Sequence, residues 1–252
     1  MPLTVKPALA SSQGPTPDGL GNILLTNPCE TLFMRRLLLI LPLLAPLAAC
    51  MDIPQATQKS ASRPASGTLS PRPAYRQCLS ELGAQHASFT PLPDQYFGQG
   101  CSNVGTVRLA SLRSDTASLE LSNLGPVTCS VATGFAGWAR FGVDRAAEQI
   151  LGSRIMRIET YGSYSCRNVA GTNRRSGHAT ANAIDVSAFV LDDGRRISVL
   201  DDWDGGTDAE RRFLRVVHKS ACKRFGTVLG PQYNAAHRNH FHLEADGANF
   251  CR

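Results

Sequence analysis

Half of the histidines in this chain stand where they could act together. Of six in all, His237, His240 and His242 fall within six consecutive positions. Upstream, the run Ser176-Gly-His178-Ala-Thr-Ala-Asn-Ala-Ile-Asp185 sets a histidine seven positions before a carboxylate, and that Asp stands among the apolar Ala183, Ile184 and Val186. Two imidazoles and one carboxylate are the usual donor set for a zinc ion that keeps one coordination position open. Zinc so held brings the pKa of water to about 7 and polarises a carbonyl, so the chemistry expected is hydrolysis. The expected cofactor is Zn2+, one ion per chain, because an open His/Asp/His site favours zinc over other divalent ions.

His178 and Asp185 suit the first two donor positions, one from a loop and one from the strand that follows it; His242 suits the third. Side chains alternate along an extended segment, so His240 and His242 share a face. One of them can hold metal while the other moves protons. His237 precedes the segment and can reach the same pocket. Glu244 also shares the face of His242 but lies too far along the strand for a base. Among the loop arginines ahead of His178, Arg167 is the one expected to grip a substrate carboxylate bidentately, with Arg174 and Arg175 solvated. His86 and His218 are expected to lie outside the site.

The elements that must place these groups are mixed rather than regularly alternating, which favours an α+β fold over a doubly wound sheet. The expectation is a single disulfide-bonded domain, with a small antiparallel sheet carrying the metal site and helices packed around it. A short helix is expected over 76–87, and strands over 104–109 and 117–121 from their alternation. Thr128 is placed to cap a helix through Val131, Phe135 and Trp138, and Asp144 to cap a second over 145–151. A strand over 154–161 leads into the long polar loop 162–175. Ala183–Leu191 is a second, strongly apolar strand, turned by Asp192-Asp193-Gly194 into an extended 197–200. Thr207-Asp-Ala-Glu210 has the form of a capping box, opening a helix that Gly226 stops. Residues 240–245 read as the final strand.

Eight cysteines are present. Cys29 and Cys50 lie early, and the other six, Cys78, Cys101, Cys129, Cys166, Cys222 and Cys251, suit disulfides in an exported domain. Six cysteines allow fifteen pairings; the sequential order Cys78–Cys101, Cys129–Cys166 and Cys222–Cys251 is expected. None has the Cys-x-x-Cys spacing of a structural zinc site.

Export itself is read from the N-terminal segment. Met34-Arg35-Arg36 precedes a short apolar run and small residues, the layout of a secretory signal over 34–49. The run is too short for a membrane span, which needs about 20 residues. Leu47-Ala48-Ala49-Cys50 resembles the bacterial lipobox, which implies lipidation of Cys50 and a membrane anchor there. Met51 after the Cys points to the outer membrane, with the domain on the periplasmic side. Residues 1–33 are expected to be an upstream extension with Met34 as the true start, 50–73 a flexible linker, and 74–252 the domain. Residues 1–49 hold three basic and two acidic side chains, leaving 23 against 18, a balance of +5. This suits an anionic partner such as cell-wall peptide or lipid headgroups. No dense Lys/Arg run with interleaved aromatics occurs, which argues against nucleic acid.

The pattern Ser-x-His-x-x-x-x-Ala-x-Asp followed by His-x-His resembles the lysostaphin/D-Ala-D-Ala-peptidase/hedgehog group of zinc peptidases. Residues 75–252 resemble more specifically the bacterial extensin-like C-terminal domain, in Tyr164-Ser-Cys166-Arg167, the His178–Asp185 segment, Leu229-Gly-Pro231 and His237-x-x-His240-Phe-His242-Leu. The resemblance implies that His178, Asp185 and His242 hold zinc, that His240 is the acid/base or transition-state stabiliser, and that His237 is a neighbour of the same kind. It implies a peptidase acting on peptidoglycan stem peptides or cross-links. The competing expectation is a peptidoglycan-binding lipoprotein that cleaves nothing. The chain departs from the pattern twice: Ala181 stands where the group usually has Gly, and Gly177 where relatives often carry Glu. A positive φ at Ala181 would strain the loop by about 1–2 kcal/mol.

Overall fold

The computed structural model describes residues 72–252. The signal segment, Cys50 and residues up to 71 of the linker lie outside the described residues. Helix α1 (Pro73–Ala84) is followed by strands β1 (Ser88–Pro91), β2 (Gln95–Gly98), β3 (Cys101–Asn103), β4 (Thr106–Arg113), β5 (Ser118–Ser122) and β6 (Val127–Thr128). Helix α2 (Cys129–Trp138) runs through a π-helical segment, Ala139–Asp144, into α3 (Arg145–Leu151). Then come β7 (Ile155–Gly162), a 3-10 turn at Gly177–Thr180, β8 (Ala183–Leu191), β9 (Arg196–Ser198), α4 (Val199–Asp202) and α5 (Asp208–Ala221). Strands β10 (Thr227–Leu229), β11 (Phe241–Glu244) and β12 (Phe250–Cys251) complete the order.

The fold is α+β, and its sheet is larger than the small antiparallel one expected. Ten strands are joined in the order β1-β4-β5-β7-β8-β11-β10-β12, with β6 beside β4 and β9 beside β8. The pairs β5–β7 and β10–β12 are parallel; the rest are antiparallel. Strand β8 lies inside the sheet and all nine of its residues are buried, which is why its sequence is apolar on both faces, interrupted only by Asp185 and Ser187, rather than alternating. The core gathers Trp138 with Phe135, Phe189 and Phe225, and Trp138 Nε1–H donates to the Val217 carbonyl of α5 at 3.0 Å. Each such large apolar side chain contributes about 1.5–3 kcal/mol through burial. Helix α5 presents Phe213, Leu214, Val217 and Ala221 to that core and starts at the capping box anticipated from Thr207 and Glu210, with both reciprocal hydrogen bonds formed. Among the described residues no helix is long and apolar enough to cross a membrane.

Several local expectations are corrected. Thr128 does not cap α2 with its side chain; its hydroxyl donates to Asn182 Oδ1 at 3.0 Å. Asp144 is itself helical, and its carboxylate accepts from Ile155 N–H at 2.8 Å, joining the helical segment to β7. The extended segment expected over 197–200 ends at Ser198, because the Ser198 hydroxyl accepts from Asp201 N–H and caps α4. The disulfides are Cys78–Cys129, Cys101–Cys166 and Cys222–Cys251. The sequential pairing of the first four cysteines fails because the bridges follow packing: Cys78 on α1 meets the start of α2, and Cys101 on β3 meets the loop ahead of the 3-10 turn.

Candidate metal centre

The centre is built where β8 and β11 pair. Their register sets His242 directly opposite Asp185, so the third expected donor and the second are cross-strand neighbours. His178 arrives from the 3-10 turn that precedes β8. Ser176 Oγ accepts from His178 N–H to start the turn, and Ala181 ends it in the left-handed conformation at φ 54°. Asn182 then pins the turn to the end of β11, its side-chain amide donating to the Ala245 carbonyl at 3.1 Å. Local hydrogen bonds and sheet register together thus bring groups from two distant stretches of sequence to one point.

The donor atoms of His178, Asp185 and His242 all lie within 4.8 Å of one another, and all three residues are buried. His178 Nε2 is 3.1 Å from Asp185 Oδ2 and 3.2 Å from His242 Nδ1; His242 Nδ1–H donates to Asp185 Oδ1 at 2.9 Å. The outward nitrogens are also occupied: His178 Nδ1–H donates to the Ser163 carbonyl at 2.6 Å, and His242 Nε2–H donates to Glu244 Oε2 at 3.2 Å. Two imidazoles and a carboxylate turned inward, with their outer nitrogens hydrogen-bonded, is the arrangement a zinc ion uses, so the residues present fit the group. A second grouping, His218 with Cys222 and Cys251, lacks thiolates because the two cysteines form a disulfide. His218 instead packs on Trp203 and Phe241. His86 is exposed at the end of α1.

His240 and His237 stand beside this set without joining it. His240 Nε2 is 3.5 Å from Asp185 Oδ1, and its ring meets Tyr161 edge to face at 5.9 Å. His240 Nδ1–H donates to Asn239 Oδ1 at 2.8 Å. The His237 ring is 5.1 Å from that of His240 and 5.9 Å from that of His242. Burial opposes charge on both, and neighbouring imidazolium charge and the Arg167 guanidinium add to the effect. The His237 pKa falls to about 4 and that of His240 falls below the usual histidine value. Burial acts the same way on His242 but is outweighed by its hydrogen bonds to Asp185 and Glu244, which raise it to about 9. Burial also opposes the charge of Asp185, yet the hydrogen bonds of His178 and His242 hold its carboxyl far below the ordinary carboxylate range.

Arg167 lies in the loop leading to His178. Its backbone N–H donates to the Ser165 carbonyl and its carbonyl accepts from Ser176 N–H. The guanidinium is exposed and acts on His237 and His240 through its charge. Arg175, by contrast, is spent on the scaffold, donating to the Gln99 carbonyl and to Asn168 Oδ1, and Cys101–Cys166 fastens the same loop to β3. Four contributors were not read from the sequence: Ser163 through its carbonyl, Tyr161, Asn239 and Glu244. For Glu244 a signal existed in the shared strand face with His242; its reach to the ring, rather than along the strand, is what the structure adds.

The family described as Extensin-like protein C-terminus matches residues 76–252, and the chain belongs to it. Comparison with curated proteins and comparison with solved structures each return no match.

Proposed function

We propose that this extensin-like domain is a zinc-dependent peptidase that hydrolyses amide bonds in peptidoglycan stem peptides or cross-links, on the periplasmic side of the envelope, held to the outer membrane through a lipid on Cys50. The observation that carries the reading is the buried carboxylate of Asp185, which faces His178, His242 and His240 together. His178, Asp185 and His242 are the residues that would hold the ion. When bound, zinc supplies Lewis acidity, polarising an amide carbonyl and lowering the pKa of water. His240, kept neutral at pH 7 by burial, takes up and returns a proton at Nε2, the nitrogen turned toward the centre. Asn239 and Tyr161 orient that ring. His237 is a second neutral imidazole at the same rim. Arg167 binds a carboxylate of the substrate peptide, the bidentate geometry for which guanidinium is suited.

The test is digestion of isolated sacculi by wild type and by His240→Ala at equal zinc content. Muropeptides released by the wild type and absent with the variant support the assignment. Equal release removes His240 from catalysis. Retention of the wild type on sacculi with no release would make the protein a cell-wall binder instead.

A further inference from the structure

The two histidines of the donor set are held in opposite senses. His178 gives its Nδ1–H to a backbone carbonyl and turns Nε2 inward, whereas His242 gives its Nε2–H to Glu244 and turns Nδ1 inward. For His242 the outer nitrogen meets a side chain instead, that of the residue two positions on along the strand. Among the described residues, Glu244 Oε2 is the acceptor within hydrogen-bond reach of that nitrogen. Which ring nitrogen binds metal is set by the hydrogen bond that the other one makes.

Space for this carboxylate comes from an unexpected place. Gly177, next to His178, has no left-handed φ, so its backbone does not demand glycine. A Cβ there would instead fall inside contact distance of all three carboxylate atoms of Glu244, the farthest at 2.7 Å. The Glu244 carboxylate therefore keeps this place under the Ser176–His178 turn because residue 177 lacks a side chain; a methyl there would push it aside.

We infer that Glu244 is a positioning residue of the centre, fixing the His242 tautomer that offers Nδ1 to the ion, and that Gly177 is its steric complement. This rests on the metal-centre reading above. Neither residue touches the ion; both act through His242.

The experiment measures Zn2+ affinity of the full, oxidised chain by competition with a chromophoric chelator, for wild type, Glu244→Ala, Glu244→Gln, Gly177→Ala and the Gly177→Ala/Glu244→Ala double variant. Loss of an outer hydrogen-bond partner typically weakens metal binding about 10–100-fold. That loss is expected for Glu244→Ala, and also for Gly177→Ala, whose methyl displaces the carboxylate. Glu244→Gln keeps an acceptor oxygen and should recover most of the affinity. The double variant should bind no more weakly than either single one, since the methyl has nothing left to displace, a coupling that independent structural damage does not produce. Thermal melts of the metal-free proteins identify any variant that fails to fold, and Glu244→Gln reads the same contact with least perturbation. Wild-type affinity in Glu244→Ala, or two losses that add in full in the double variant, overturns the inference. Absence of Zn2+ binding by the wild type overturns the metal centre itself, and this inference with it.

Discussion

His240 Nε2 stands 3.5 Å from Asp185 Oδ1, the same oxygen that accepts from His242 Nδ1–H at 2.9 Å. One carboxylate oxygen thus faces a donor imidazole and an imidazole outside the donor set. The two should separate cleanly on mutation. His178→Ala and Asp185→Ala are expected to lose about one zinc per chain, the number an open three-ligand site holds. His240→Ala should retain it. Metal content of the purified proteins by atomic emission decides this.

With zinc retained, His240→Ala should lower the rate of sacculus digestion by about 10²–10⁴, the usual contribution of a positioned acid/base. His237→Ala should lower it less, since His237 meets the other rings without touching Asp185. A loss confined to His237→Ala would exchange the two roles.

The histidines also predict how stability of the metal-free protein varies with pH. His242 is raised to about 9 in the fold, so the folded state holds an extra proton between about 6.5 and 9. Its contribution is complete below 6.5 and is lost as pH rises through 9. His237 is lowered to about 4, so between about 6.5 and 4 the unfolded chain binds the extra proton and stability falls as pH falls. Urea unfolding across this range should therefore show stability declining on both sides of about pH 6.5. His237→Gln should flatten the acid limb and His242→Gln the alkaline one. Because a ligand histidine must be neutral, zinc affinity should climb with pH up to about 9 by about tenfold per unit.

Ala181 adopts φ 54° in the turn that ends at β8, a conformation that costs a residue with a Cβ about 1–2 kcal/mol. Ala181→Gly relieves it, against the loss of a buried methyl and a floppier unfolded chain. These terms nearly cancel, so stability in urea should shift by less than about 1 kcal/mol, with Zn2+ affinity unchanged.

Removing Cys101–Cys166 by paired substitution to Ser should cost about 2–5 kcal/mol, as for native disulfides generally. Zinc content should survive, since the bridge touches none of the three donors, while digestion should fall through loss of Arg167 placement. A variant that keeps full digestion would release Arg167 from the substrate role.

Legibility of the chain tracked how local each signal was. Ala183–Leu191 was readable to the residue because a strand buried on both faces leaves an apolar run, here broken only by Asp185 and Ser187, and Thr207-x-x-Glu210 marked the start of α5 because a capping box is closed within one turn. That His178, Asp185 and His242 meet was legible from the scarcity of histidine and the tight spacing within each of the two segments. What escaped depended on neighbours far away in sequence. Glu244 meets His242 in space left open by Gly177, and Cys78 finds Cys129 because α1 packs on α2. The turn into α4 was a different failure. Ser198 and Asp201 carried a capping signal, but the preceding hairpin turn favoured a longer strand.

The fastening of Cys101 to Cys166 divides the centre into halves that mature by different chemistries. The three inward donors are gathered by strand register and a hydrogen-bonded turn, which need only that the chain fold. The Arg167 side hangs from a covalent link that forms only where oxidant is supplied. A molecule lacking this one bridge would thus keep its histidines in place while the Arg167 loop lost its fastening to β3. On the proposed function, such a bridge would tie wall cutting to an oxidising compartment.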